Sequence, residues 1–122
     1  PYPAEYTPCT EVALEERDSD ARPAIKNTVE DMESYDIVFI GCPVWWHSAP
    51  MIISTFTESY DLKGKIVVPF CTYASTYRDE TLRKIVDLTP ESTHLAGLGL
   101  TSGSVNSSNI ATWLKNINVV KK

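Results

Sequence analysis

Two short, unbroken apolar runs, Ile37-Val38-Phe39-Ile40 and Ile66-Val67-Val68-Pro69-Phe70, constrain this chain more than any other feature. Amphipathic helices and half-solvated strands interleave polar residues. A run of four or five apolar residues bounded by turn formers is instead the pattern of a strand buried on both faces. The first run is closed by Gly41 and Pro43, and the turn Asp61-Leu62-Lys63-Gly64 precedes the second. Pro69 has no N–H to give a ladder, so it is expected near the end of its strand or at a bulge. A third, weaker run spans Leu95–Leu100 and is interrupted by Gly97 and Gly99.

Helical patterns lie between these runs. Pro50 to about Ser59 carries Ile52, Ile53 and Phe56 on one face, and Asp79–Leu88 carries Leu82, Ile85, Val86 and Leu88. A last helix is expected to start near Ser107 or Ser108 as N-cap, with Ile110, Trp113, Leu114 and Ile117 on its buried side. Strand alternating with helix implies parallel strands joined by right-handed crossovers, with helices on both faces. The expected fold is thus an α/β three-layer domain occupying residues 1–122 as one unit.

Composition agrees: 43% hydrophobic and 22% charged residues suit one globular domain. No apolar run approaches the ~18 residues of a membrane span, and Pro1 to Tyr6 show no basic-then-apolar signal pattern, so a cytoplasmic location is expected. The net charge is −5, and Lys121-Lys122 form the one basic cluster, which leaves nothing to drive nucleic-acid binding. An acidic surface suits a basic protein partner, such as a basic redox protein.

Pro1, Pro3 and Pro8 predict an extended opening, followed by a polar helix from about Thr10 to Arg17. Glu15, Glu16, Asp18 and Asp20 before Arg22-Pro23 read as a solvated charged loop with no chemistry. Cys9, Cys42 and Cys71 lie far apart, with no C-x-x-C pair and no histidine at ligand spacing, which argues against a metal centre and a disulfide framework. Cys42 and Cys71 follow apolar runs and read as buried packing residues.

In parallel α/β sheets ligands gather at the carboxyl ends of the strands, here the loops Gly41–Pro50 and Cys71–Arg78. The first holds two adjacent indoles, Trp45 and Trp46, between two prolines. Adjacent residues cannot both enter one core, so at least one indole is expected to be exposed at the sheet edge. Either a planar ligand or partner covers it, or both indoles cap the core under neighbouring loops.

The ordered motifs Tyr35-Asp36, Gly41-Cys42-Pro43-Val44-Trp45-Trp46-His47-Ser48-Ala49-Pro50, then Phe56, Glu58, Asp61 and Gly64-Lys65, resemble the WW-containing branch of the flavodoxin family. The likeness runs from Pro1-Tyr2-Pro3 and Ala21-Arg22-Pro23-Ala24 to Trp113-Leu114. It implies a flavodoxin-like parallel sheet in the order 2-1-3-4-5 that binds FMN at the switch point. It also assigns Pro43, Val44, Trp45, Trp46 and His47 to the first flavin loop and Thr72, Tyr73, Ala74, Ser75 and Thr76 to the second.

Family members place small residues in that second loop. Here Tyr73 or Tyr77 either forms a second wall for the ring or fills the pocket. His47, the titratable side chain near neutrality beside the ring, either tunes the flavin or faces solvent. His94 reads as a residue at a strand entrance, and Asp79, Glu80 and Arg83 as the first turn and exposed face of a helix. Thr101–Ser108 reads as a solvated loop with an N-cap.

The family's first strand, Ser/Thr-Gly-rich phosphate loop, first helix and second strand have no counterpart in these residues, which corresponds to an N-terminally truncated domain that retains strands 3-4-5. FMN binding is then expected to be weak or lost, and Ile37–Ile40 becomes an open apolar edge suited to homodimerisation. Three functions follow: FMN-based electron transfer, a flavin-free structural or self-associating module with Trp45 and Trp46 in a contact, or an FMN-dependent quinone or nitro reductase.

Overall fold

The computed structural model describes residues 2–119, so the expectations placed on Pro1 and on Lys121-Lys122 lie outside it. The elements in order are α1 (Tyr6–Asp18), a single 3-10 turn (Met32–Ser34), β1 (Ile37–Pro43), α2 (Met51–Ser59), β2 (Ile66–Thr72), α3 (Arg78–Asp87), β3 (Thr93–His94), β4 (Leu98–Leu100) and α4 (Ser107–Asn116). All strand pairs are parallel, with β2 between β1 on one side and β3 and β4 on the other. This is the expected α/β architecture.

The two faces of the sheet differ. Val38, Ile40 and Cys42 of β1 join Val67 of β2, Ile53 and Phe56 of α2, Ile85 of α3, and Met32, Ala49 and Leu62 in the main core. Side chains alternate across a strand, so Ile37 and Phe39 point to the opposite face. There Phe39 meets Trp113 of α4 edge-on at 5.8 Å, and Phe70 packs against the same indole at 6.3 Å. Ile37 and Phe39 nonetheless stay 38% and 42% exposed, which corrects the expectation of a strand buried on both faces. Continuous hydrophobicity marks a strand that could be covered twice; here α2 and α3 contribute to the core on one face of the sheet, and on the other Phe39 packs against Trp113 of α4 yet stays partly exposed.

Pro69 sits in the middle of β2, paired with Ile40, rather than at its end, and it lies at a one-residue bulge in the ladder on the other side, the second of the two expected placements. The missing N–H is accommodated by dividing the third strand. β3 pairs with Ile66 and Val67, β4 pairs with Phe70 to Thr72, and the register advances by one residue across the gap at Pro69. The expected single run Leu95–Leu100 is therefore two short strands. In the gap the Ala96 carbonyl accepts from Trp113 Nε1 at 2.8 Å, and a Cβ on Gly97 would stand 3.0 Å from the Pro69 carbonyl oxygen.

Helix ends shift for local reasons. α1 begins at Tyr6, a turn before the expected Thr10, because Pro8 falls in the first turn, where N–H groups lack helical acceptors. α4 is capped by Asn106, whose Oδ1 accepts from the Asn109 N–H at 2.8 Å, rather than by Ser107 or Ser108. His94 closes β3 and lies 2.8 Å from Thr89 Oγ1. No helix among the described residues is long and apolar enough to cross a membrane.

Candidate functional site: two loops at the carboxyl edge of the sheet

β1 and β2 end in register at Pro43 and Thr72, so the loops that follow leave the sheet side by side. The Val44 N–H donates to the Thr72 carbonyl at 3.2 Å, and the Tyr73 N–H donates to the Leu100 carbonyl at 2.9 Å, which ties the second loop to β4. Between the loops lies a cleft of about 450 Å³ lined by Pro43, Val44, Thr72, Tyr73, Ala74, Ser75, Thr76 and Ser102. Seven of the ten residues assigned by resemblance meet there. The other three, Trp45, Trp46 and His47, turn away and line an adjoining cavity that shares Val44 with the cleft.

The first loop turns sharply. Trp45 N–H donates to the Ser48 carbonyl at 2.8 Å and Ser48 N–H returns to Trp45 at 3.2 Å. The two residues between them, Trp46 and His47, have φ of 49° and 73°. This is the left-handed pair that a two-residue hairpin turn needs and that glycine or asparagine usually supplies. For side chains with a Cβ it costs roughly 1–2 kcal/mol per residue. Tyr77, at φ 67°, is a third strained residue, and its ring stacks on His47 at 4.1 Å with 21° between planes. Strain of this kind persists only where surrounding contacts enforce it, and it concentrates at functional sites. Tyr77 thus neither fills the cleft nor walls it; it clasps one loop to the other, while Tyr73 lines the cleft.

The adjoining cavity, about 810 Å³, lies between the Trp46 turn and the N-terminal segment, with Tyr6, Cys9, Thr10 and Ala13 of α1 on its far side. Trp46 Nε1 donates to the Thr10 carbonyl at 2.8 Å, and the Arg17 guanidinium sits over the Trp46 ring at 5.9 Å. Tyr2 meets Trp45 edge-on at 5.2 Å and donates its hydroxyl to Glu16 at 2.7 Å. Burial first, then that bond to Glu16, pushes the Tyr2 phenol up to about 12. Reading Thr10 to Arg17 only as a polar helix, and Glu15, Glu16, Asp18 and Asp20 as a solvated loop without chemistry, missed this packing; Glu15, Glu16 and Asp18 belong to α1 itself. A helix with one buried residue, Ala13, has no apolar stripe to reveal which side it turns inward.

Below the cleft, Cys42 and Cys71 are register partners. Burial, and secondarily the neighbouring Cys71, pushes the Cys42 thiol up to about 12; burial also raises Cys71 against the opposing pull of Arg78. Thiols held protonated this way are poor nucleophiles and metal ligands. They pack the sheet, as their place after apolar runs suggested.

The donor set fits the ring of a flavin. In the second loop, the backbone N–H groups of Ala74, Ser75, Thr76 and Tyr77 have no acceptor among the described residues, and Thr72, Ser75 and Thr76 add hydroxyls. Consecutive free donors beside an apolar, aromatic wall suit a planar heterocycle with a polar edge. Among the described residues, no lysine or arginine lines either space.

A parallel sheet flanked by helices, with two adjoining loops at its carboxyl edge, defines the chain as a flavodoxin-like α/β protein. The flavodoxin family's sequence profile matches residues 9–117, and the chain belongs to that family. Its structure is similar to a candidate flavoprotein from Bacteroides eggerthii, at 34% identity and a TM-score of 0.79 over 98% of this chain and 79% of that one. It is also similar to a candidate flavoprotein from Bacteroides uniformis, at 31% identity and a TM-score of 0.76, covering 91% of this chain and 69% of that one. A flavoprotein from Lactobacillus acidophilus, solved in complex with FMN, shares the fold at 21% identity, with a TM-score of 0.69 over 92% of this chain and 72% of that one. No curated protein matches the chain.

Proposed function

We propose that this chain is an FMN-binding electron-transfer protein of the cytoplasm, whose isoalloxazine site is built from Pro43, Val44, Trp45, Trp46, His47, Thr72, Tyr73, Ala74, Ser75 and Thr76. One observation carries the reading. Two loops leave the carboxyl ends of adjacent parallel strands and enclose a cleft that offers four consecutive N–H groups without an acceptor among the described residues, with strained aromatic residues nearby. FMN in the related Lactobacillus acidophilus protein supports the same cofactor.

The second loop's N–H groups and hydroxyls would bind the polar edge of the ring, with Pro43, Val44 and Tyr73 excluding water from its plane. FMN, when bound, supplies one- and two-electron transfer. No side chain in the site is required as an acid, base or nucleophile. The Cys42 and Cys71 thiols stay protonated beneath it and play no redox part in this scheme. The net charge of −5 suits a basic redox partner.

A second reading, a self-associating module, draws on the exposed Ile37 and Phe39. Titrating FMN into the purified chain separates the two. Quenched FMN fluorescence with a yellow protein supports the electron carrier; a colourless protein that leaves FMN fluorescence unchanged refutes it. Rapid NAD(P)H turnover by the FMN-loaded protein would replace the carrier with a reductase.

A further inference from the structure

The cleft between the two loops has a third wall that the family resemblance does not assign. β2 lies between β1 and β4, so the segments that follow these strands stand in one row: Pro43 and Val44, then the second loop, then the turn after β4. Ser102 of that turn lines the same space of about 450 Å³. Read from its residues alone, Thr101–Ser108 was a solvated loop; the sheet order brings its first turn to the ring site.

This turn is braced from both sides. The Ser104 and Val105 N–H groups both donate to the Thr101 carbonyl at 3.0 Å, Ser104 Oγ accepts from the Thr101 N–H at 2.8 Å, and Asn109 Nδ2 of α4 donates to the Ser104 carbonyl at 2.7 Å. Toward the second loop, the Tyr73 N–H holds the Leu100 carbonyl, two residues before Ser102. The Thr101 and Ser104 hydroxyls face each other at 3.2 Å, whereas the Ser102 hydroxyl has no partner among the described residues. A hydroxyl carried by a braced turn loses little freedom when a ligand pairs with it.

The row is graded in polarity. Pro43 and Val44 present hydrocarbon at the β1 end, the N–H groups of Ala74–Thr76 follow, and Ser102 stands at the β4 end. Isoalloxazine is graded in the same way, with two methyl groups on its benzene edge and carbonyl and N–H groups on its pyrimidine edge. We infer that Ser102 orients the ring: its hydroxyl binds the pyrimidine edge, which turns that edge toward β4 and sets the dimethylbenzene edge over Pro43 and Val44. This rests on the flavin reading for the ring itself; the third wall supplies the ring's direction.

Fluorescence titrations of the whole chain with FMN, and with lumiflavin to leave out the phosphate, test the residue. Ser102→Ala should weaken both flavins about 2- to 12-fold, the loss of one hydrogen bond, with an unchanged melting curve. Ser102→Thr keeps the hydroxyl and should bind within about 2-fold of the parent. Gly103→Ala is the control, because a Cβ there meets nothing closer than Thr101 Oγ1 at 3.9 Å, and it should leave binding unchanged. Nuclear Overhauser contacts from the flavin methyl protons to labelled protein read the direction: Pro43 and Val44 are expected to receive them, and Ser102 none.

A parent chain that binds flavin as tightly as Ser102→Ala overturns the role of Ser102 and leaves the flavin reading standing. Methyl contacts to Ser102, equal weakening in Gly103→Ala, or a loss that threonine does not restore overturn it in the same way. A parent chain that quenches neither flavin overturns both.

Discussion

Gly41 lies in β1 opposite Phe70, below the first site loop, and replacing it by alanine is a quantitative test of how the sheet carries α4. A Cβ built on Gly41 falls 2.0 Å from Cζ of Phe70 and 2.2 and 2.5 Å from its Cε atoms, so the ring must move by more than an ångström. Phe70 cannot swing freely, because it packs against Trp113, which also holds Phe39 and the Ala96 carbonyl. Overpacking of this kind costs about 1–3 kcal/mol, and a disturbed aromatic pair adds about 0.5–1.5. Lower backbone entropy of alanine in the unfolded chain offsets about 0.5–1 kcal/mol. The expected net loss is about 2 kcal/mol, or roughly 8 °C in Tm for a domain of this size. Circular dichroism melts and urea titrations of Gly41→Ala, Phe70→Leu and the double variant measure it. The smaller leucine side chain should relieve the clash, so the double variant should lose at least ~1 kcal/mol less than the two single losses combined. A Gly41→Ala Tm within about 2 °C of the parent, or strictly additive losses, would refute the packing argument.

Three more outcomes follow from the same geometry. Folding raises the thiol of Cys42 from an ordinary 9.0 to about 12 and the phenol of Tyr2 from 10.0 to about 12, so the unfolded chain loses these protons first. Stability should hold below pH 9 and fall between 9 and 12, on the order of a few kcal/mol and mostly through Cys42, since solvent screens the partly exposed Tyr2, with the onset moved upward in Cys42→Ala; a flat profile in urea titrations across that window would contradict the burial of Cys42. A double-mutant cycle on His47→Ala and Tyr77→Ala should give a coupling of about 0.5–1.5 kcal/mol, and a coupling near zero would mean that the stack does not join the loops. Phe39→Lys puts a charge on the open edge of β1: light scattering at micromolar concentration should find the parent chain associated and the variant monomeric, and a monomeric parent would dispose of the Ile37–Ile40 dimer.

Much of the fold was legible because its signals are local. Unbroken apolar runs gave β1 and β2, helical spacing gave α2, α3 and α4, and their alternation gave the parallel sheet. What stayed hidden depends on residues distant in sequence. Burial of a strand such as Ile37–Ile40 is set by which elements arrive on each face, and periodicity does not carry that. Pro69 announced a missing donor, yet only the pairing shows that the cost falls on the neighbouring strand, which divides in two. The turn at Trp46 and His47 has none of the glycine or asparagine that marks left-handed backbone, and its conformation is enforced by Trp45–Ser48 pairing and by Tyr77. α1 was visible as a polar helix, while its place on the site comes from one indole 36 residues away from Thr10.

The central claim, that a flavin ring lies against the two loops, is tested most directly by amide and indole N–H chemical shifts of isotope-labelled protein titrated with FMN. The account predicts saturable shifts concentrated at Val44, Ala74, Ser75, Thr76 and Tyr77, together with the Trp46 indole. Shifts absent at saturating FMN, or confined to the loop Thr101–Ser108 and α4, would contradict it.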